Sequence, residues 1–188
     1  MRLIRFRDLE PTPWKNGGGV TREVARLADP EKPGAFLWRV SIATVDAPGP
    51  FSPFPGIDRT IAVLDGDGIR LDMRGGARTL TPSDPPFAFD GEEPVHCTLP
   101  GGATTDLNVM TRRGRYRHDM TRLAVGRDSL VRPGAGICLL AACGPLRLQA
   151  EGTVWEMETG DTLAEPGSGP MRLSAAAAET SACLVTIV

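Results

Sequence analysis

Ile57-Asp58-Arg59-Thr60-Ile61-Ala62-Val63-Leu64 runs into Asp65-Gly66-Asp67-Gly68, then Ile69-Arg70-Leu71-Asp72-Met73, then Gly75-Gly76. A β-branched apolar run, a Gly/Asp turn, five alternating residues and a glycine pair read as strand, turn, strand, turn. The pattern continues downstream. Short strands are expected around Arg78 to Leu80, Phe87 to Phe89, Val95 to Leu99 and Thr105 to Met110. Pro82, Asp90-Gly91 and Pro100-Gly101-Gly102 separate them. Many short strands punctuated by Gly and Pro predict an all-β sandwich or barrel with short helices only.

Upstream, Ala47-Pro48-Gly49-Pro50-Phe51-Ser52-Pro53-Phe54-Pro55-Gly56 is too proline-rich for a helix or a central strand. Trp38-Arg39-Val40-Ser41-Ile42-Ala43-Thr44 alternates between a bulky apolar face and a face of Arg39, Ser41 and Ala43. The second face suits the inside of a ligand-holding barrel; it equally suits the wet side of a one-sided sheet. Pro13-Trp14-Lys15-Asn16-Gly17-Gly18-Gly19-Val20-Thr21-Arg22-Glu23 places specific side chains on both flanks of three glycines. Such a run serves backbone that passes close to something or needs positive φ. The alternative is a hairpin turn with solvated flanks. The spacing is neither that of a P-loop nor that of a dinucleotide site.

The 188 residues accommodate one large domain or two small ones, with 22 glycines and 17 prolines favouring turns. A net charge of −2 gives no basis for a nucleic-acid or membrane partner. No apolar run reaches the length of a membrane span, and the alternating start, Met1 to Arg7, lacks a signal-peptide core, so a cytoplasmic location is expected. Cys97, Cys138, Cys143 and Cys183 form no Cys-x-x-Cys motif and are expected to be reduced core residues. His96 and His118 are the only histidines, which disfavours zinc. Lysine occurs only at 15 and 32, which draws attention to Lys15 within the glycine stretch.

The second half repeats the first. With Leu71 set on Leu148, Gly75 falls on Gly152, Leu80 on Met157, Asp84 on Asp161 and Asp106 on Cys183. Two copies of one β-unit are the natural reading. Asp106, Asn108 and Met110 share a strand face whose counterparts under this offset are Cys183, Val185 and Ile187. Buried polar groups need partners, so a site is expected in the first copy.

The repeat unit resembles a cupin, a small jelly-roll barrel. Gly66 marks the end of the first cupin motif, which puts Pro53-Phe54-Pro55 where the His-x-His pair would stand and Arg59 where its Glu would stand. In the second half Gly160 and Pro166 match the second motif's skeleton, with Met171 at the histidine position. Every metal ligand of the pattern is missing, so neither a metal nor any other cofactor is expected. More specifically, the chain resembles the HutD family, which includes the Ves proteins. The match lies in Pro13–Gly19 with Thr21-Arg22-Glu23, in Trp38–Ala43, in Gly49–Arg59, and in Asp106–Met110 with Arg112-Arg113, covering roughly the first 113 residues. The resemblance implies a bicupin, with a first barrel over 1–120 and a second over 121–188, the N-terminal strands being free to cross into the second. It also implies a small-molecule binder, with formylglutamate as the favoured ligand and a regulatory or accessory role in histidine utilisation.

The expected ligand site is Trp14, Lys15, Asn16, Arg22, Arg39, Ser52, Arg59, Asp106 and Asn108. Arginine forks match carboxylates, the two amides can recognise an amide or formyl group, and Trp14 supplies a flat wall. If the arginines face inward, Glu23 and Asp58, their neighbours on a strand, face away, which leaves a cationic pocket for a small anionic metabolite. The rival expectation is a metal-free cupin enzyme, an isomerase or amide hydrolase, with Glu23, Asp58 or Asp106 as its base. A homodimer is compatible with either.

Overall fold

The computed structural model describes residues 1–175 and 180–188. The described residues are nearly all β, and their one helical element is a single 3-10 turn over Phe6–Asp8. The chain divides into two compact units, residues 10–117 and residues 1–9 with 118–188. Each contains a larger and a smaller antiparallel sheet.

In the 10–117 unit the six-stranded sheet runs in the order Pro11–Pro13, Gly19–Ala28, Phe36–Val45, Thr104–Arg112, Ile57–Asp65, Phe87–Asp90. The four-stranded sheet runs Gly49–Pro50, His96–Thr98, Ile69–Met73, Gly76–Leu80. Val45, Ile61 and Val63 of the first pack with Ile69, Leu71, Leu80 and Cys97 of the second. Alternation sends every second residue inward, so the apolar positions of each strand meet in one core.

The other unit has a five-stranded sheet, Arg2–Ile4, Thr162–Ala164, Ile137–Ala142, Thr180–Ile187, His118–Val125, and a four-stranded one, Ser129–Val131, Met171–Ala175, Leu146–Ala150, Thr153–Met157. Leu140, Ala142, Leu163 and Ala182 pack on Leu146, Leu148, Met157 and Leu173. The boundary expected at 120 lies between 117 and 118, and the crossing allowed for the N-terminal strands takes residues 1–9. Residues 1–9 belong with the second unit, because Arg2–Ile4 pairs with Thr162–Ala164, and the boundary falls before His118, whose strand pairs with Thr180–Ile187. Alternation identifies Arg2–Ile4 as a strand but does not name its partner.

The internal repeat is visible in the fold. Ile69–Met73 with Gly76–Leu80 and Leu146–Ala150 with Thr153–Met157 are the same hairpin under the sequence offset. Asp84 accepts from the Thr81 amide at 2.8 Å, as Asp161 does from the Glu158 amide at 3.1 Å. The offset does not survive to the last strand. Val63 pairs with Asp106, but its counterpart Leu140 pairs with Leu184 rather than Cys183. A slip of one residue turns a strand over. Cys183 thus lies on the face opposite to the one Asp106 occupies in its own sheet, and Leu184 is the true counterpart.

Candidate functional site

A cavity of about 610 Å³ opens in the 10–117 unit, within the size range of small-molecule sites. Its floor is the inner face of the six-stranded sheet. Strand pairing lays Thr21, Ala43 and Asp106 in one row, then Ser41 and Asn108, then Arg39, Met110 and Arg59. Toward Val63 and Ile61 the same face becomes apolar core. One barrel interior is thus half core and half site.

The glycine stretch is a hairpin turn, and its flanks also line the cavity. Gly17 has φ of +70°, and its amide donates to the Trp14 carbonyl at 3.0 Å. A Cβ on Gly19 would collide with the Thr44 carbonyl oxygen, so only glycine lets this strand start against Phe36–Val45. The turn delivers Trp14, Lys15 and Asn16 to the rim. Trp14 is fixed by donating from Nε1 to Thr21 Oγ1 at 2.7 Å and by an edge-on contact with Phe51 at 6.1 Å. The Asn16 side-chain oxygen accepts from the Gly18 amide at 3.1 Å.

The centre of the site is a buried chain of polar groups. Arg59 Nη2 donates to Asn108 Oδ1 at 2.9 Å, and Asn108 Nδ2 donates to Asp106 Oδ1. Arg59 is 5 % exposed, Asn108 5 % and Asp106 0 %. The Arg59 guanidinium stands 4.8 Å from the Phe89 ring centre and 5.5 Å from those of Phe51 and Phe54. An aromatic enclosure of this kind holds a cation by its ring faces while excluding water. Among the residues lining the cavity, the buried atoms Arg39 Nε, Arg59 Nε and Asp106 Oδ2 have no hydrogen-bond partner. Unpaired buried polar atoms are costly, so this cluster holds strained electrostatics beside the cavity.

Burial governs the ionisation of both groups. It pushes the Asp106 carboxyl up to about 7, although Arg59 and the Asn108 hydrogen bond pull it down. It draws the Arg59 guanidinium down to about 10, with Asp106 opposing and Arg39 adding to the fall. Desolvation exceeds the attraction between the two. Arg59 remains cationic at neutral pH, whereas Asp106 keeps its proton to far higher pH than an ordinary carboxyl.

Eight of the nine residues expected at the site line this cavity: Trp14, Lys15, Asn16, Arg39, Ser52, Arg59, Asp106 and Asn108. Arg22 does not. Thr21 lines the wall, and alternation turns Arg22 the other way. Of the three candidate bases only Asp106 lines the cavity. Asp58 pairs with Arg113 at 2.8 Å, and Glu23 lies 3.2 Å from Arg39 Nε, too poorly aligned for a hydrogen bond. The aromatic enclosure was not anticipated. Phe51 and Phe54 stand in a proline-rich segment without strand periodicity, and Phe89 on a short edge strand, so no pattern aimed them at Arg59. The charges lining the cavity are Lys15, Arg39 and Arg59 with Asp106, but Glu23 does not face away as expected: it is opposite Ser41, on the face of Thr21, and offsets Arg39.

The cupin pattern carries a metal-ligand set that this sequence lacks, and the residues at the cavity do not fit a metal. A single carboxylate sits beside an amide and a guanidinium, no imidazole lines the cavity, and among the described residues no three His, Cys, Asp or Glu side chains converge.

The HutD family model matches residues 7–185. An uncharacterised 21.2 kDa protein in the hutC 3′ region of Pseudomonas putida is 47% identical over 118 residues, 62% of this chain and 61% of that one. Protein Ves of Citrobacter koseri is 37% identical over 118 residues, 62% of this chain and 61% of that one. The chain thus spans about three fifths of the length of the curated relatives it matches. Among solved structures, a conserved protein of unknown function from Pseudomonas aeruginosa PAO1 has a TM-score of 0.84 at 34% identity, covering 99% of this chain and 97% of that one. HutD from Pseudomonas fluorescens SBW25 has a TM-score of 0.81 at 29% identity, covering 100% and 97%. A cupin 2 conserved barrel protein from Leptotrichia buccalis, at 11% identity, has a TM-score of 0.62 over 100% and 96%, which shows the cupin-type fold alone. By the family model and by fold, this chain belongs to the HutD family.

Proposed function

We propose that the 10–117 unit binds a small carboxylate-bearing metabolite in this cavity without a metal, and that formylglutamate is the ligand, in a regulatory or accessory role in histidine utilisation. The observation that carries the reading is the buried Arg59–Asn108–Asp106 chain, which brings a cationic guanidinium to a cavity that Lys15 also lines. A guanidinium suits a carboxylate, and Asn108 with its neighbours suits a formamide. The pathway rests on family membership and on the Pseudomonas putida relative named for the hutC region.

Calorimetric titration with formylglutamate, glutamate and urocanate tests this. The expected result is saturable carboxylate binding that weakens at least tenfold, about 1.4 kcal/mol, in Arg59→Ala and is unchanged in Arg22→Ala. Equal binding by Arg59→Ala, or a preference for cations or neutral sugars, would overturn it.

One observation favours a second reading, catalysis. A carboxyl pushed up to about 7 inside a cavity is suited to proton transfer near neutral pH. In that case Asp106→Asn abolishes turnover of a formamide or isomerisable carboxylate while ligand still binds. Absence of turnover in the parent protein leaves the binding reading alone.

A further inference from the structure

The unit made of residues 1–9 and 118–188 contains a second chemically distinctive cluster. Cys143 Sγ and Cys183 Sγ are 3.6 Å apart. Arg122 Nη1 donates to Cys143 Sγ at 3.2 Å and to Ser181 Oγ at 3.1 Å. Strand pairing explains the grouping. Cys183 is opposite Arg122 on one side and Ala141 on the other, and the Cys143 amide donates to the Ser181 carbonyl at 2.9 Å. Arg122, Ser181, Cys183 and Cys143 therefore share one sheet face. Cys183 is fully buried, while Cys143, just past the end of its strand, is partly exposed.

The two sulfurs are chemically unequal. The hydrogen bond from Cys183 first, and then the Arg122 charge, hold the Cys143 thiol below its ordinary value against the effect of burial. Cys183 is raised by that same bond and by burial. Cys97 and Cys138 are raised by burial, Cys97 to about 12. A partly exposed thiolate beside a guanidinium, with a buried thiol in reach, is the arrangement of an attacking and a resolving cysteine. The guanidinium also opposes a metal cation at the pair.

We propose that Cys143 and Cys183 form a reversible dithiol–disulfide site oxidised by hydroperoxides, with Cys143 attacking and Cys183 resolving. In the first step the Cys143 thiolate forms an S–O bond as the peroxide O–O bond breaks. Sulfur is oxidised to the sulfenic acid, peroxide is reduced, and the departing hydroxide takes a proton to become water. In the second step Cys183 sulfur attacks the sulfenic sulfur. The S–S bond forms, the S–O bond breaks, and a second water leaves with the Cys183 proton. With hydrogen peroxide the balance is two thiols and one peroxide to one disulfide and two waters. The sulfurs close from 3.6 Å to a bond of about 2.05 Å; the two cysteines are diagonal neighbours across the strands, so closure also draws in the chain just past the strand end at Cys143.

The test treats the native protein at neutral pH with one equivalent of hydrogen peroxide, then denatures it, alkylates it and maps the peptides by mass. The expected product has lost two hydrogens, carries a Cys143–Cys183 cross-link, keeps Cys97 and Cys138 alkylatable, and is restored by dithiothreitol. Cys143→Ser abolishes the cross-link. Cys183→Ala accumulates a sulfenic acid on Cys143 that dimedone traps. Arg122→Gln slows oxidation at neutral pH by roughly tenfold. Four alkylatable thiols in the peroxide-treated parent, or cross-linking through Cys97 or Cys138, would overturn the proposal. So would oxidation of Cys143→Ser at the parental rate. If the Cys183 variant does not fold, the parent and Cys143→Ser results still decide.

Discussion

Asp106 concentrates the physics of the site in one residue. Its carboxyl is raised to about 7 by burial, against an ordinary value of 3.8. The folded state therefore keeps a proton that the unfolded state has released, so stability falls as pH rises between those two values and levels off above them. Each pH unit of that window is worth about 1.4 kcal/mol. Asp106→Asn should match the parent near pH 4 and exceed it in denaturation midpoint at pH 8, with the gap opening across the window. A gap independent of pH would contradict the assignment. Ligand binding should follow the same proton. A carboxylate placed on Arg59 repels ionised Asp106, so binding takes up a proton and tightens as pH falls through 7. Calorimetry in buffers of different ionisation enthalpy reads that uptake directly. Asp106, Asn108, Arg39 and Ser41 were legible because alternation on a strand sorts faces. Arg22 was not, because motif membership was read where parity with Thr21 decided. The ring enclosure of Arg59 was beyond any local pattern.

At the scale of elements, the wall of the cavity depends on one glycine outside it. A Cβ on Gly91 would lie 2.5 Å from the Phe54 carbonyl oxygen and 2.7 Å from that of Ile57. The Gly91 carbonyl accepts from the Phe54 amide, and its amide donates to Ile57, both at 2.7 Å. The proline-rich segment that carries Phe51 and Phe54 is thus docked by close backbone approach. Gly91→Ala should cost about 1–3 kcal/mol by overpacking and weaken carboxylate binding as Phe54 moves off Arg59. Chemical denaturation and calorimetry check the two halves separately, and unchanged affinity with lowered stability would show that the segment does not shape the site. The strands themselves were readable, since Gly/Pro/Asp turns bound each one. The repeat offset held for the hairpin, where turn chemistry fixes register, and slipped where the last strand pairs across a long connection.

For the whole molecule, the N-terminal segment is an integral strand of the 118–188 unit. Asp161, 3 % exposed, accepts from Arg5 Nη1 at 2.7 Å, from the Phe6 amide at 2.9 Å and from the Glu158 amide at 3.1 Å. Gly160 leaves room for the Phe6 ring, which a Cβ would meet at 2.9 Å. Asp161→Ala should cost roughly 1.5–3 kcal/mol, the worth of a charged hydrogen bond, and release the Arg2–Ile4 strand. Hydrogen exchange should show protection lost over Leu3 and Leu163, with the 10–117 unit unaffected. Loss spread evenly over both units would contradict this. Pairing between residues 2–4 and 162–164 could not be read in advance, because a three-residue alternation fits any sheet edge. The duplicated all-β plan could be, because hydrophobic period and turn residues recur in both halves. The claim that binds these scales together is that a carboxylate completes the cavity at Arg59. A crystal structure grown with formylglutamate tests it most directly. The account predicts ligand density in the cavity, with a carboxylate oxygen in hydrogen-bond reach of the Arg59 guanidinium and the formamide beside Asn108. An empty cavity at saturating ligand, or density placed away from Arg59, would contradict it.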